Sequence, residues 1–178
     1  PWDNVDEEFI SVPRKWDASS VGSFMMWIGP TSSVFDWMTY IFMYFVFCPL
    51  FVSRGVLYND LASHFAGADL VRMQTAYVAM FQTGWFIESM WSQTMVIHML
   101  RSPKLPFIQS HPALSVVVTT LFAAVFVTSL PYSPLASLLK LSHLNGLYFI
   151  LLFVIIVLYM LSVTFVKHIY IKKYKEWL

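Results

Sequence analysis

The sequence predicts an all-α integral membrane protein with four transmembrane helices and both termini in the cytoplasm, and three observations carry that expectation. Hydrophobic residues fill 58% of the 178 positions and aromatics 18%, while charged residues fill only 12%. A soluble domain carries about 25% charged residues. The apolar residues gather into four segments long enough for a bilayer core, which takes about 20 residues of helix. All eleven Lys and Arg lie outside those segments. This composition excludes a disordered chain and an ordinary water-soluble enzyme. A net charge of +1 provides no concentrated basic face, so no nucleic-acid partner is expected. The single cysteine, Cys48, excludes an internal disulfide framework and a cysteine-rich metal site.

Residues 1–23 form a cytoplasmic connecting segment. Its acids Asp3, Asp6, Glu7 and Glu8 suggest either a cation-attracting mouth or, more simply, a solvated loop. The start at Pro1, with no basic-then-apolar leader, predicts a fragment of a longer polypeptide. Asp17-Ala18-Ser19-Ser20 offers capping residues for a first span over 24–48, which Cys48-Pro49 ends. Pro30 within it removes the bond to the Met26 carbonyl, so a kink or a locally open turn is expected. A periplasmic loop fills 49–77. The second span runs 78–100 and stops at Ser102-Pro103, and a cytoplasmic loop covers 101–112. The third, 113–130, has 18 residues without a charge between His111-Pro112 and Leu130-Pro131. After a periplasmic loop at 131–143, the fourth span covers 144–166, 23 uncharged residues. Val- and Ile-rich strands would be shorter, at most about 10 residues. The basic tail 167–178 fixes topology and touches anionic headgroups.

Orientation follows from the cations. Segments 1–23, 101–112 and 167–178 carry eight of the eleven Lys and Arg, and the opposite loops carry Arg54, Arg72 and Lys140. An excess of cations marks the cytoplasmic side. Trp27, Trp85, Tyr132, Tyr148 and Tyr170 fall toward span ends, as interfacial anchors do, whereas Trp37 and Trp91 fall deeper, as rings packed between helices.

Two acids lie inside the spans: Asp36 in the first and Glu88 in the second. An ionised acid at that depth costs about 2.5–3.5 kcal/mol on insertion scales and needs a partner, water or a cation. Helical spacing sets Gly29, Ser32, Ser33, Thr39 and Tyr40 around Asp36, and Gly84 and Ser92 around Glu88, with Ser89 and Gln93 flanking. Oxygen donors suit hard cations, so Glu88 and Asp36 are the candidate ion-path residues. The Ser, Gly and Thr positions also suit a packing seam. His98, beside Arg101, is expected to be an interfacial histidine rather than a proton relay. No Walker-type loop, G-x-G-x-x-G, HExxH or CxxC occurs, so no catalytic residue or cofactor-binding loop is expected in this chain.

Several blocks carry a resemblance: Val12-Pro13-Arg14-Lys15-Trp16-Asp17, Gly29-Pro30-Thr31-Ser32-Ser33 through Asp36, and Phe81-Gln82-Thr83-Gly84-Trp85-Phe86. Ser92-Gln93-Thr94 through His98-Met99-Leu100-Arg101, Pro106-Phe107-Ile108-Gln109-Ser110 and Pro131-Tyr132-Ser133-Pro134 complete the set. Together they resemble the C-terminal membrane region of the bacterial magnesium-transporting P-type ATPases over nearly the whole chain. The resemblance implies the last four helices of a ten-helix pump in the bacterial inner membrane. The partners it implies are the remaining six membrane helices, the cytoplasmic domains and the bilayer. Mg2+ is then the transported ion, and ATP acts only through the phosphorylation, nucleotide-binding and actuator domains, which lie elsewhere. Glu88 takes a place similar to that of an ion-binding glutamate in the eighth helix of calcium pumps of the wider superfamily. Asp36 falls in the family's G-P-x-S-S-x-x-D pattern. The loop from Tyr58 to Arg72 departs from the pattern and is longer. Two further readings stand beside this one: a stand-alone four-helix proton-coupled exporter titrating at Glu88, and a structural helical buttress with neutral, packed acids.

Overall fold

The computed structural model describes residues 3–4 and 18–174. The acids Asp6, Glu7 and Glu8, the 12–17 block and Lys175 lie outside the described residues. Apart from a single bridge between Pro106 and Ser110, the described residues contain no β-structure.

Helix α1, Ala18–Phe42, is uninterrupted across Pro30, so no open turn forms there. Gly29 and Pro30 sit on its exposed face, where one missing bond leaves the rest of the ladder intact. The break expected at Cys48-Pro49 appears instead as a π-helical turn, Met43–Phe47, leading into α2, Cys48–Phe51. Pro49 has no N–H to give. In the wider register of that turn, with Cys48 N–H on the Met43 carbonyl, the oxygen it leaves open is that of Tyr44. The Tyr77 hydroxyl donates to that oxygen from the neighbouring long helix. Arg54 and Gly55, both at positive φ, then turn the chain.

After a 3-10 turn at Tyr58–Asp60 and the short α3, Leu61–His64, the chain enters α4, Gly67–Leu100. This helix begins eleven residues ahead of the apolar stretch at 78, because no proline follows Gly67 and only Gly84 could loosen it. Its 34 residues span about 50 Å against a hydrocarbon core of about 30 Å. Much of segment 49–77 is therefore helical rather than open loop. Helix α5, Leu114–Ser129, ends in a 3-10 turn at Leu130–Tyr132; α6 is Leu135–Leu138, and α7 is Gly146–Tyr174.

Among the described residues, three segments are long and apolar enough to cross a membrane: Val21–Phe51, Leu114–Tyr132 and Gly146–Tyr174. Helix α4 is longer than any of them but more polar, and its Thr83, Glu88, Ser92, Thr94 and His98 are buried. It is the inner helix of the bundle. Helices α1, α4 and α7 share the core, with Met43, Phe47, Ile87, Tyr148 and Leu152 at one end and Phe35, Met99, Tyr159 and Val163 at the other. Helix α5 packs on α4, tied by Trp91 Nε1 donating to Thr128 Oγ1 at 2.9 Å and by His98 Nε2 meeting Thr120 Oγ1 at 2.9 Å. Between helices already in lipid, apolar burial drives little, so close packing and such bonds hold the bundle. Leu121 and Phe122 of α5 and Phe153 and Leu161 of α7 stay exposed, as lipid-facing side chains should.

Trp91 packs between helices as expected, but Trp37 is 65% exposed and does not. Tyr148 and Tyr170 are core residues rather than interfacial anchors. Helix periodicity turns both toward α1 and α4, and linear position near a span end carries no facing information.

At the end of the bundle where α4 passes into α5, the cations act as fasteners. Arg101 Nε donates to Asp3 Oδ2 at 2.8 Å, while its other nitrogens reach Ser110 Oγ and the carbonyls of Asn4 and His111. Asp3 Oδ1 accepts the Ala113 N–H at 2.7 Å, just ahead of α5. Burial by itself raises the Asp3 pKa, but these hydrogen bonds and the guanidinium outweigh it and hold the carboxyl below its usual value. Asp3 is thus neither a solvated charge nor part of a cation-attracting mouth. Lys167, expected in a lipid-facing tail, is instead buried and donates to the Ser102 and Lys104 carbonyls at 2.5 and 3.3 Å. It lies on the face of α7 turned toward the end of α4, where the chain beyond Leu100 turns carbonyls toward it.

Candidate functional site

The two candidate acids meet at the α1–α4 interface but in unlike environments. Glu88 is 1% exposed, and neither carboxylate oxygen has a hydrogen-bond partner among the described residues. A buried carboxyl left this way is expensive, and native structures retain few such groups. Thr39, fully buried on the facing side of α1, also has an unpartnered hydroxyl among the described residues. Asp36, one turn away on α1, is half-buried and accepts the Trp85 indole N–H at 3.4 Å. Asp36, Thr39 and Glu88 are neighbours across the interface.

The local chain explains how the acid came to be enclosed. One turn before Glu88 lies Gly84, where a Cβ would stand 2.4 Å from Met43 Cε and 2.7 Å from its Sδ. Glycine therefore lets the π-helical turn of α1 press against α4. The Tyr148 hydroxyl of α7 donates to the Gly84 carbonyl, closing the third side. Tyr159 of α7, edge-on to Phe35 at 5.5 Å, closes the site on its other side.

The structure divides the two polar faces anticipated from helical spacing. On α4, Gly84, Glu88 and Ser92 are all buried, while Gln93 is exposed. On α1, Thr39 turns inward, whereas Gly29 and Ser33 are exposed and outside the site. Sequence reasoning missed Met43, Trp85 and Tyr148 as site residues. The only local signal was the aromatic and glycine content of 81–86; the π-helical turn depends on Pro49 and has no periodicity of its own. His98 is buried rather than interfacial, with Nδ1 unpartnered among the described residues.

Chemically, two carboxylates and a hydroxyl offer hard oxygen donors. Among the described residues no three His, Cys, Asp or Glu side chains are grouped closely enough to hold a metal ion. A complete cation shell therefore needs water, backbone oxygens or donors from outside these helices.

A family model described as "Cation transporting ATPase, C-terminus" matches residues 3–169. The chain belongs to that family. This cation-transporting ATPase C-terminal region is 41% identical over 177 residues to "Magnesium-transporting ATPase, P-type 1" of Salmonella typhimurium strain LT2, covering 99% of this chain. It is 36% identical over 174 residues to the protein of the same name from Escherichia coli K12, covering 98% of this chain. The chain spans 17% of the length of these curated relatives. The family membership agrees with the resemblance carried by the sequence blocks.

Proposed function

We propose that this chain is the last four of the ten membrane helices of an ATP-driven cation pump that imports Mg2+ into the cytoplasm of a bacterium. In this reading, 24–48, 78–100, 113–130 and 144–166 are the seventh to tenth helices, with 1–23, 101–112 and 167–178 cytoplasmic and 49–77 and 131–143 periplasmic. The pump sits in the inner membrane. The six preceding helices complete the ion path, and ATP is bound and hydrolysed by cytoplasmic domains outside this chain. Similarity to relatives named as magnesium-transporting ATPases supports the ion and its coupling to ATP.

The single observation that carries a role for this chain in the path is Glu88, enclosed by three helices with both oxygens unpartnered among the described residues. Mg2+ sheds its water reluctantly and is usually held by one or two carboxylates while keeping several waters. One enclosed carboxylate, a second half-buried one and a hydroxyl suit a partly hydrated ion in transit better than a dedicated cage. Asp36, held toward the site by Trp85, would hand the ion to Glu88 or take it from there.

The test is Glu88→Gln in the full-length pump. Losing one charge-assisted contact of about 1.5–3 kcal/mol should lower apparent Mg2+ affinity in the ATPase assay by about tenfold or more, with expression unchanged. Unaltered kinetics in both Glu88→Gln and Asp36→Asn would refute the ion-path role and leave a structural buttress.

A further inference from the structure

Between α4 and α5 the chain reverses through residues 101–113, and the apolar tip of that reversal is exposed. Leu105, Phe107 and Ile108 are 38%, 41% and 75% exposed. Phe107 takes φ 65°, a conformation bulky L-residues rarely adopt. The loop is over-determined around it. Phe107 N–H donates to the Ser110 carbonyl at 3.1 Å, and Gln109 and Ser110 N–H both donate to the Leu105 carbonyl. The Gln109 side chain accepts from Leu105 N–H at 3.1 Å, and Arg101 donates to Ser110 Oγ. A costly backbone state maintained by that many bonds is a feature of functional segments.

Phe107 also sets the direction of the tip. Its ring lies against the His98 imidazole, with centroids 4.9 Å apart. His98 belongs to the last turn of α4, and its Nε2 bonds Thr120, more than a turn inside α5. The tip therefore folds back to the depth of the helix ends instead of reaching away from them. Asp3 neutralises Arg101 at the base of the loop, and residues 102–112 themselves carry no acid.

We propose that Leu105, Phe107 and Ile108 form a wedge seated in the headgroup–acyl boundary of the adjoining leaflet, with the lipid surface as the partner. The depth of Phe107 places apolar side chains where acyl chains begin. The wedge is independent of which ion the protein carries.

The experiment uses the full-length protein carrying Ile108→Cys as its only cysteine, spin-labelled and reconstituted in phosphatidylcholine–phosphatidylglycerol vesicles. Oxygen, which partitions into the bilayer, should relax the label more than a water-soluble nickel chelate does, at a depth of about 5–10 Å below the headgroups. Dominant nickel collisions would place the tip in water and overturn the proposal. Protection from both reagents would reveal a protein surface over the tip and overturn it equally. A second variant, Phe107→Gly, keeps the positive φ without strain and removes the ring. In it the oxygen-to-nickel ratio at position 108 should fall while thermal stability holds, and an unchanged ratio would remove Phe107 from the wedge.

Discussion

Arg101→Ala removes the residue that joins the segment before α1 to the end of α4 and the start of α5. The Arg101 side chain is 10% exposed and that of Asp3 31%, at 2.8 Å. Fully exposed ion pairs contribute about 0.2–1 kcal/mol. Breaking a fully buried one costs about 3–5 kcal/mol. This pair lies between those limits, and the Asn4 and His111 carbonyls can be re-solvated once the guanidinium is gone. A loss of about 2 kcal/mol is expected, most of it from the desolvated side of the pair. Arg101→Lys keeps a charge but not the planar fork that reaches four acceptors, so it should lose about half as much. Unfolding in mixed detergent micelles, followed by circular dichroism, measures both variants, and an Asp3→Ala, Arg101→Ala double-mutant cycle isolates the coupling. Because the Asp3 pKa is lowered on folding, its contribution is complete above its unfolded value of 3.8 and is lost as pH falls below that. The difference between wild type and Arg101→Ala should therefore be constant from neutral pH down to about 5 and shrink only in strong acid. A cost under about 0.5 kcal/mol, or simple additivity in the cycle, would refute the view that Arg101 fastens these segments.

Two further substitutions probe how the bundle is held. Gly84→Ala drives a methyl toward the buried Met43 side chain and should cost about 1–3 kcal/mol, with recovery in the Gly84→Ala, Met43→Ala pair measured by the same unfolding assay. Trp91→Phe removes the indole bond to Thr128, whose hydroxyl still donates to the Ala124 carbonyl at 2.7 Å. No polar atom is orphaned there, so the cost should be only about 0.6 kcal/mol, and a loss above about 2 kcal/mol would show that packing rather than the hydrogen bond holds α5 to α4.

Membrane class and the presence of four long helices were legible in the sequence because they depend on local quantities. Apolar run length, proline position and the distribution of cations act through the chain's immediate neighbours and its solvent. The acids Asp36 and Glu88 were legible for the same reason: a carboxylate within an apolar run is costly wherever it faces. Local quantities stop short of facing and partnership. Hydropathy made α4 the least membrane-like of the long helices, whereas packing made it the innermost, since polar side chains cost little when other helices enclose them. Tyr148 and Tyr170 looked interfacial by linear position and turned out to be core residues by helical phase. Lys167 and Asp3 looked like solvated charges until the loop after α4 brought carbonyls and a guanidinium to them. Thr39 and Glu88 are 49 positions apart in the chain. Only the close approach that Gly84 and the π-helical turn allow made one site of them. Such an approach is a property of two surfaces fitting together, and no single segment of the sequence encodes it.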